Sequence, residues 1–413
     1  MDKTFSFFDN VKSQEPIELF ELVKEFQDDN YPQKVNLSIG VYRTEEGKHW
    51  VLPVVKRTEN ILASVNAVSH EYLGQTGFYN FTQASLRFLL GNDHTVIKEN
   101  RVLGIQTISG TGALRMGAEF LTKCLNYKTF YMSEPSWPSH HIVFPLAGFQ
   151  DIKRYRYWDS VSKGLDLKGM IEDLQNAPEK SIILLHVCGH NPTGVDLNQD
   201  QWKIIADVME EKHHFPFFDC AYQGFVSGDW EVDGWPVRYF ASRGFELFCA
   251  QSFSKNFGLY GERIGNLAIV FNNPLKMMNV KSQFTYLIRG NYSNPPSYGA
   301  KIVEYILNNE ELFNEWKLNI KTMSNRIKEI RVSLYEKLKQ LETVGNWSHF
   351  KKHTGMFSLS GITGTKTKYL KDRYHIYMPT VGRMNMSGLN HKNLNYVANA
   401  INDVVTKYCE NNE

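Results

Sequence analysis

Five junctions in the sequence, each directly after a predicted strand, carry residue types that could do chemistry. At the first, Ser109-Gly110-Thr111-Gly112, small residues open a predicted helix and leave its first backbone N–H groups free to bind an anion such as a phosphate. The segment has neither the Gly-Lys-Ser/Thr of a Walker loop nor the spacing GxGxxG. An ordinary capped turn explains it equally well when it is taken alone.

The second and third junctions offer an aromatic ring and an amide. Trp137 lies between two prolines, with His140 and His141 nearby. A ring fixed in this way is more often a packing residue, and the histidine pair lacks the HExxH spacing of a metal site, so we expect no metal. Asn191, which a proline follows, could project its amide into a crevice because the proline restricts its backbone. A plain Asn-Pro-Thr-Gly turn is the alternative.

The fourth junction is a carboxylate, Asp219, which ends the apolar run Phe215-Pro216-Phe217-Phe218. We expect this carboxylate to be partly buried, and a buried acid needs a cationic partner. Tyr222 follows on the same turn. A purely structural ion pair would also fit this position.

The fifth junction is a lysine in Ser252-Phe253-Ser254-Lys255. A lysine removed from water at a strand end loses its proton near neutral pH and becomes a nucleophile for carbonyl groups. Arg263, eight positions further on, could hold the phosphate of the first junction. A solvated lysine is the alternative, but the apolar and hydroxyl neighbours of Lys255 disfavour it.

Together the five junctions offer an anion cradle, an aromatic plate, an amide, a carboxylate and a lysine. A flat phosphorylated aldehyde with a basic ring nitrogen needs this whole set. Pyridoxal phosphate is such a molecule, because a lysine binds it as an imine and a carboxylate pairs with its pyridinium nitrogen. Each junction alone is weak evidence, whereas the combination predicts this cofactor.

The elements that must position these residues form an α/β pattern. Ligands in open α/β sheets bind beyond the carboxyl ends of the strands, and between residues 101 and 270 short apolar runs alternate with helical patterns. Asn198-Gln199-Asp200-Gln201 resembles a capping box, followed by Trp202, Ile205 and Met209 on one helical face. The predicted strands are Val102–Ile108, Thr129–Met132, Ser181–Cys188, Pro216–Phe218, Leu247–Gln251 and Asn266–Val270.

The last third of the chain differs in pattern. Apolar residues with three-four spacing predict a helix of roughly seven turns that ties two domains together, with a coiled-coil seam as the alternative: Trp316, Ile320, Met323, Ile327, Ile330, Leu334 and Leu341. Short strands around Met356–Ser360 and His375–Met378 and a closing helix from Lys392 to Tyr408 follow. With a helix over Pro16–Phe26, they predict a second, smaller domain.

Composition excludes several classes of function. The chain has 413 residues with 46 basic and 44 acidic side chains, a formal charge of +2 that argues against a nucleic-acid partner. No apolar run approaches the ~18 residues that span a bilayer, so we expect no membrane segment. The five cysteines form no CxxC motif and three lie in apolar runs, which predicts buried reduced thiols. Without a signal sequence at its start, the protein is expected in the cytoplasm.

Long motifs in this chain resemble the aspartate aminotransferases of the fold-type I pyridoxal-phosphate enzymes, most nearly the animal cytosolic form. The similarity extends from Val35-Asn36-Leu37 to the final helix. The motifs that carry it are Val41-Tyr42-Arg43-Thr44, Ser109-Gly110-Thr111-Gly112-Ala113-Leu114-Arg115, His190-Asn191-Pro192-Thr193-Gly194, Phe217-Phe218-Asp219, Ala221-Tyr222-Gln223-Gly224 and Gln251-Ser252-Phe253-Ser254-Lys255-Asn256.

The resemblance implies a fold, a reaction and an assembly. The expected fold has a large cofactor-binding domain over residues 49–324, with a mainly parallel seven-stranded sheet between helices, and a smaller α/β domain of residues 1–48 and 325–413. The implied reaction is reversible, ping-pong transfer of the amino group from L-aspartate to 2-oxoglutarate, giving oxaloacetate and L-glutamate. The implied assembly is a homodimer with shared active sites.

The resemblance also implies a role for each matching residue. Lys255 binds the cofactor and then moves the reacting proton, while Asp219 keeps the ring nitrogen protonated. Asn191 and Tyr222 hydrogen-bond the phenolic oxygen, and Trp137 stacks on the ring. The phosphate is expected to be held by Ser109, Gly110, Thr111, Ser252 and Arg263, and by Tyr72 from the other subunit.

Two arginines are implied to select the substrate. Arg383, in Val381-Gly382-Arg383, grips the α-carboxylate, and Arg289 enters from the partner subunit to bind the distal carboxylate. Gly40 lies beside the substrate in a mobile segment. Both arginines together predict a dicarboxylic substrate.

Four features depart from the family pattern: the segment Gly74–Asn80, Glu134 near Trp137, Gly261 before Glu262-Arg263, and Val381 before Gly382. They remove no catalytic group and bear on turnover and substrate preference. Alternative functions are therefore a paralogue for cysteine sulfinate or aromatic amino acids, and a non-catalytic dimeric binding protein. A nicotinamide dehydrogenase lacks support, because its glycine fingerprint is missing.

Overall fold

A seven-stranded sheet forms the centre of the fold in the computed structural model, which describes residues 6–64 and 70–410. Within those residues the strands are β1 (Val35–Asn36), β2 (Val102–Ile108), β3 (Thr129–Glu134), β4 (Asp151–Arg156), β5 (Trp158–Asp159), β6 (Gly164–Leu165), β7 (Ile182–His186), β8 (Phe215–Cys220), β9 (Leu247–Ser252), β10 (Ile264–Val270), β11 (Phe357–Leu359), β12 (Ile376–Tyr377) and β13 (Arg383–Asn385).

The order of strands in the large sheet is β2-β10-β9-β8-β7-β3-β4. Only β10 runs antiparallel to its neighbours β2 and β9, and the other pairs are parallel. Strands β7 and β9 are buried along their whole length, which is typical of a parallel sheet covered on both faces. The expected mainly parallel, seven-stranded α/β fold is confirmed.

Helices cover both faces of this sheet. One core cluster joins α5 to one face through residues such as Leu114 and Phe217, and another joins α8 and α9 to the opposite face through Trp202 and Phe240. The helices of the described residues are α1 (Glu18–Asp28), α2 (Pro53–Ser64), α3 (Tyr79–Leu90), α4 (Thr95–Lys98), α5 (Ser109–Lys123), α6 (His140–Leu146), α7 (Leu167–Asn176), α8 (Gln199–Glu211), α9 (Trp230–Ser242), α10 (Met277–Asn291), α11 (Tyr298–Asn308), α12 (Glu310–Gln340), α13 (His349–Lys352), α14 (Thr365–Tyr374) and α15 (Leu394–Glu410).

The long helix α12 has 31 residues, and its apolar stripe is buried within the chain. Trp316, Ile320 and Leu334 are each at most 1% exposed and belong to a cluster that also contains Phe257 and Val397. The coiled-coil alternative is therefore wrong, because the stripe within α12 is buried against this chain; the last predicted member, Leu341, follows the end of the helix and is half-buried. Since α12 crosses residue 324, it links the two predicted domains; their boundaries stay a prediction.

Short two-stranded sheets complete the region around α12 and α15. Strand β1 pairs in parallel with β12, and β11 pairs antiparallel with β13, which places Leu359 opposite Arg383. The closing helix begins at Leu394, two residues later than predicted, and follows a turn in which the side chain of Asn390 accepts the N–H groups of Lys392 and Asn393. Helix α1 likewise begins two residues later than predicted, at Glu18.

Local sequence signals correspond well to local structure elsewhere. Asn198 and Gln201 form the predicted reciprocal capping box of α8. Cys188, Cys220 and Cys249 are buried free thiols and Cys124 is partly exposed, whereas the side chain of Cys409 lies outside the described residues. Among the helices described, none is long and apolar enough to cross a membrane.

Candidate active site

A cavity of about 310 Å³ opens at the carboxyl ends of β2, β3, β8 and β9. Its walls also include residues from the region of β11 and β13, so the site lies where the two predicted domains meet. It collects twelve of the predicted site residues: Gly40, Ser109, Gly110, Thr111, Trp137, Asn191, Asp219, Tyr222, Ser252, Lys255, Arg263 and Arg383.

The floor of the cavity is a cradle of hydroxyl groups and helix N–H groups. The Ser109 Oγ atom lies 2.9 Å from Ser254 Oγ and 3.4 Å from Ser252 Oγ. Helix α5 has no side-chain cap, so the N–H groups of its first turn that follow Ser109 are available for an anion. Gly110 permits this close packing, because a Cβ atom there would lie 2.9 Å from the Cβ atom of Ser252.

Arg263 adds a positive charge to the cradle. It is half-buried, which lowers its pKa, and its Nη1 donates to the carbonyl of Tyr260 at 2.9 Å. The backbone N–H of Ser109 donates to the carbonyl of Arg263 at 3.0 Å. Both residues have positive φ, 61° for Ser109 and 56° for Arg263, a strained geometry that clusters at functional sites. These features together suit a phosphate.

Lys255 lies in the wall of the same cavity. Its pKa is lowered from 10.5 to about 8, chiefly by burial and also by the charges of Arg263 and Arg383, while the charge of Asp219 opposes the shift. The Lys255 Nζ atom lies 5.4 Å from the ring centre of Tyr222. An amine in this state has a substantial neutral fraction near pH 7.5, which is what nucleophilic attack on an aldehyde requires.

Asp219 is held ionised by a short hydrogen-bond network. Burial alone would raise its pKa, but a hydrogen bond from His140 and the charges of His140, His186 and Lys255 together lower it. His140 Nε2 lies 3.1 Å from Asp219 Oδ2, and His140 Nδ1 lies 2.9 Å from Ser136 Oγ. An ionised carboxylate in this position can keep a ring nitrogen protonated.

His140, His186 and Asp219 are also close enough to be considered as a metal site, since their ligand atoms lie within 4.8 Å of one another. His140 already donates to Asp219, and burial lowers the pKa of His186 to about 3. His186 Nδ1 faces the N–H of Asn191 at 3.5 Å. We therefore interpret the cluster as a network that orients Asp219; that the protein uses no metal stays a prediction.

Three further predicted residues, Tyr222, Asn191 and Trp137, line the same cavity. Tyr222 is 4% exposed, and burial raises its pKa. Asn191, five residues after the end of β7, precedes a cis proline. Trp137 packs edge-on against His140 with ring centres 5.2 Å apart.

The part of the cavity wall formed near β11 and β13 contains a buried guanidinium. Arg383 is 6% exposed, and its Nη2 donates to the carbonyl of Ser38 at 2.7 Å and its Nη1 to Asn191 Oδ1 at 3.2 Å. Its Nε has no partner, and its Cζ lies 4.2 Å from the ring centre of Phe357. Burial lowers its pKa to about 10. No carboxylate of the described residues forms an ion pair with Arg383, so an anionic ligand would complete its contacts.

The two remaining predicted residues lie outside this cavity. The side chain of Tyr72 is 85% exposed and that of Arg289 is also exposed. Both line a second cavity, which shares Arg263 with the first. Within one chain neither residue reaches the place of a substrate, so their assignment to the partner's site stays a prediction.

The departures from the family pattern have simple local environments. Glu134 is exposed, does not line the cavity and forms a surface ion pair with Arg154 at 2.8 Å. Val381 is 57% exposed, and a Cβ atom on Gly261 would touch nothing within 4 Å. None of these three positions alters the cavity wall.

Sequence reasoning missed several residues of the site. His140 was considered only as a metal ligand, although its position three residues after Trp137 already placed it at the same strand end. Ser136 and His186 join the network around Asp219, and Ser254 joins the cradle. Phe357 carried no recognisable signal, because only the pairing of β11 with β13 brings it to Arg383.

The residues fit pyridoxal phosphate. The cradle matches a phosphate, the lysine with a lowered pKa matches an aldehyde, and the ionised Asp219 matches a pyridinium nitrogen. The unpartnered Nε of Arg383 leaves a donor for a further carboxylate. These groups face one cavity.

Comparisons with known proteins agree with this geometry. A family model described as aminotransferase class I and II matches residues 32–401. The chain is 48% identical over 407 residues to the cytoplasmic aspartate aminotransferase of Gallus gallus, covering 97% of this chain and 99% of that protein.

Solved structures give the same result. Aspartate aminotransferase from the cytoplasm of Saccharomyces cerevisiae superposes with a TM-score of 0.95 at 39% identity, over 97% of this chain and 99% of that one. An aromatic-amino-acid aminotransferase of Burkholderia pseudomallei, covalently bound to pyridoxal phosphate, superposes with a TM-score of 0.93 at 38% identity, over 97% of this chain and all of that one.

Proposed function

The chain belongs to the class I and II aminotransferases, and on that premise we propose that it is a pyridoxal-phosphate-dependent aspartate aminotransferase. It transfers the amino group reversibly from L-aspartate to 2-oxoglutarate and forms oxaloacetate and L-glutamate. One observation carries this proposal: Lys255, Asp219 and Arg383 face a single cavity of about 310 Å³. A cofactor lysine, a partner for a ring nitrogen and a carboxylate clamp are thus within reach of one small molecule.

Pyridoxal phosphate, when bound, supplies the aldehyde that takes up the amino group and the ring that withdraws electrons from it. The protein's part is to hold and orient. Ser109, Ser252 and Arg263 bind the phosphate through hydroxyl and guanidinium groups. Tyr222 and Asn191 direct their polar atoms to the ring's phenolic oxygen, and Trp137 limits movement of the ring on one face.

Proton movement falls to Lys255. Its amine is substantially neutral near pH 7.5, because burial lowers its pKa to about 8. Once the amine is free it accepts a proton at Nζ and returns it to a neighbouring carbon atom, which is general acid–base catalysis. Asp219, ionised and held by His140, keeps a proton on the ring nitrogen at the same time.

Substrate selection rests on two arginines. Arg383 binds the α-carboxylate with the planar fork that a guanidinium presents. The partner subunit's Arg289 binds the distal carboxylate, and this second contact selects aspartate and glutamate. Phe357, in contact with both Gly40 and Arg383, keeps water from the carboxylate clamp.

The active form is a homodimer; the exposure of Tyr72 and Arg289, which lie outside the cavity of their own chain, supports this assembly. The protein acts in the cytoplasm. The name of the Gallus gallus relative and the free, buried cysteines support this location.

One spectrum tests the proposal. Purified protein loaded with pyridoxal phosphate is expected to show the visible absorbance of the bound cofactor, which shifts when aspartate is added and returns when 2-oxoglutarate follows. Borohydride treatment should attach the cofactor permanently to Lys255. A Lys255→Ala variant that still turned over aspartate at the wild-type rate would contradict the mechanism.

Substrate comparison distinguishes the alternatives. We expect kcat/KM for aspartate to exceed that for tyrosine by at least ~10²-fold, as expected for a site built to bind a charged group. Equal values would instead favour a broad-specificity enzyme, for which the aromatic-amino-acid aminotransferase neighbour is a precedent. Protein that binds no cofactor would favour the non-catalytic alternative.

A further inference from the structure

The segments that carry Tyr72 and Arg289 meet on the surface of the chain. Residues His70–Gln75 and Tyr292–Ser297, with Arg289, line the same cavity. Arg289 lies in the last turn of α10, and neither His70–Gln75 nor Tyr292–Ser297 is part of a helix or strand, so side-chain hydrogen bonds help to set the relative position of the two segments.

A chain of hydrogen bonds runs from one segment to the other. Arg289 Nη1 donates to Ser293 Oγ, and Ser293 Oγ donates to Asn294 Oδ1 at 2.9 Å. Asn294 Nδ2 then donates to the carbonyl of Leu73. Asn294 thus bridges the guanidinium of Arg289 and the residue that follows Tyr72.

Gln106 makes a second connection between the same segments. It is fully buried in β2, where its Oε1 accepts the N–H of Phe78 at 2.9 Å and its Nε2 donates to the carbonyl of Pro296 at 2.6 Å. Gly77 packs directly on it at φ +93°, and a Cβ atom there would lie 2.1 Å from the Cβ atom of Gln106. The unusual segment Gly74–Asn80 is therefore fitted to this glutamine.

From these contacts we propose that Asn294 is a positioning residue, which holds Tyr72 and Arg289 in one unit and thereby aligns both groups for the partner subunit's site. The proposal rests on the function proposed above. It joins two tasks that are separate in the sequence, because Tyr72 serves the cofactor phosphate and Arg289 serves the distal carboxylate. Gln106 stabilises the same unit through its hydrogen bonds to Phe78 and Pro296.

The proposal has a specific consequence for kinetics. Arg289 is an exposed, long side chain, and without Ser293 and Asn294 it would sample many rotamers. A dicarboxylic substrate would then bind more weakly, while an amino acid without a distal carboxylate would bind as before. The cofactor would also dissociate faster, because Tyr72 would no longer be fixed.

A mixed dimer tests the proposal in the holoenzyme. One chain carries Lys255→Ala, so that only the site of the other chain is active, and this site receives its Tyr72 and Arg289 from the Lys255→Ala chain. Asn294→Leu is placed either on the Lys255→Ala chain or on the chain with the intact lysine. Asn294→Asp, which keeps the oxygen for Ser293 but loses the donor to Leu73, is the second variant. Asn291→Leu, at the end of the same helix and bonded to Glu119 and Leu287, is the matched control.

Placed on the Lys255→Ala chain, Asn294→Leu should raise KM for aspartate about five-fold, the effect of one neutral hydrogen bond. We expect kcat for aspartate and kcat/KM for phenylalanine to change less than about two-fold, and the cofactor to dissociate faster. The same substitution on the other chain, and Asn291→Leu on either, should change nothing.

Three results would overturn the positioning role. The KM for aspartate could change equally for both placements of Asn294→Leu, or it could change for neither. The kcat/KM for phenylalanine could also fall as much as that for aspartate. Asn294→Asp should give the same placement-dependent increase, and wild-type values for it would contradict the contact with Leu73. Should the mixed dimer without further substitutions fail to transaminate aspartate, the proposed function itself falls, and that outcome is distinct from the others.

Discussion

Replacing Arg383 by lysine tests the carboxylate clamp most directly. The guanidinium donates from Nη1 to Asn191 and from Nη2 to Ser38, and its Nε is unpartnered. Lysine keeps the positive charge but lacks the planar fork, so a substrate carboxylate would lose at least one charge-assisted hydrogen bond.

Such a bond contributes about 1.5–3 kcal/mol. At 1.36 kcal/mol for each factor of ten, Arg383→Lys should lower kcat/KM about 10- to 150-fold. The loss should be similar for aspartate and for phenylalanine, because the α-carboxylate is common to both. Steady-state kinetics with both amino acids measure the effect, and the absorbance of the bound cofactor serves as a control, since Lys255 and Asp219 are unchanged.

Two results would refute this reasoning. A kcat/KM within about three-fold of the wild type would mean that Arg383 does not bind the carboxylate through paired donors. A loss confined to aspartate would assign Arg383 to the distal carboxylate instead.

Three further predictions concern protonation and stability. In cofactor-free protein, the rate at which Lys255 reacts with an aldehyde should rise through a midpoint near pH 8, and Asp219→Asn should move that midpoint lower, because the carboxylate's charge raises the lysine pKa; a midpoint near 10.5 would contradict the lowered pKa. His140→Ala removes a hydrogen bond that lowers the pKa of Asp219, so the acid limb of the pH–activity profile should move to higher pH, and an unmoved limb would exclude this coupling. Arg331→Met should lower the free energy of unfolding in urea by about 3 kcal/mol or more, since the buried guanidinium donates to several backbone carbonyls. The control Lys328→Met, at an exposed position of the same helix, should lower it by less than about 1 kcal/mol. Equal losses of unfolding free energy in the two variants would contradict the explanation.

The sequence predicted the centre of the site well because parallel strands make it simple to locate. In β7, β8 and β9 the carboxyl ends point to one edge, so residues that follow each strand must meet there. Asn191, Asp219 and Lys255 are far apart in the chain, yet a single rule about strand ends places them in one cavity. These three residues could be recognised in the sequence because an apolar run, which predicts a strand, precedes each of them.

Elements without such runs were missed. Strand β4, Asp151–Arg156, is an edge strand in which Lys153, Arg154 and Arg156 are exposed, so no apolar alternation marks it. Strand β13 has three residues and exists because it pairs with β11. Pairing with a neighbouring strand determines both β4 and β13. The order of residues along the chain does not reveal that pairing.

Long-range polar pairs were also invisible in the sequence. His140 and Asp219 are 79 positions apart, and only the fold brings them to 3.1 Å. The same holds for Asn294 and Leu73, 221 positions apart. A single polar residue has many candidate partners, whereas a repeated spacing of apolar residues is enough to predict a helix or a strand.

Local charge explains why the cavity suits a phosphorylated cofactor together with a substrate carboxylate. Lys255, Arg263 and Arg383 line the cavity together with one carboxylate, Asp219, although the whole chain has a formal charge of only +2. Cations gathered in a partly buried cavity repel one another, and the charges of Arg263 and Arg383 add to burial in lowering the pKa of Lys255, whereas burial lowers the pKa of Arg383. A phosphate beside Arg263 and a carboxylate on Arg383 remove the repulsion, so binding of the anions and the charge state of the lysine are linked. Filling the phosphate cradle should therefore alter the proton affinity of Lys255, which ties cofactor binding to the chemistry that follows it.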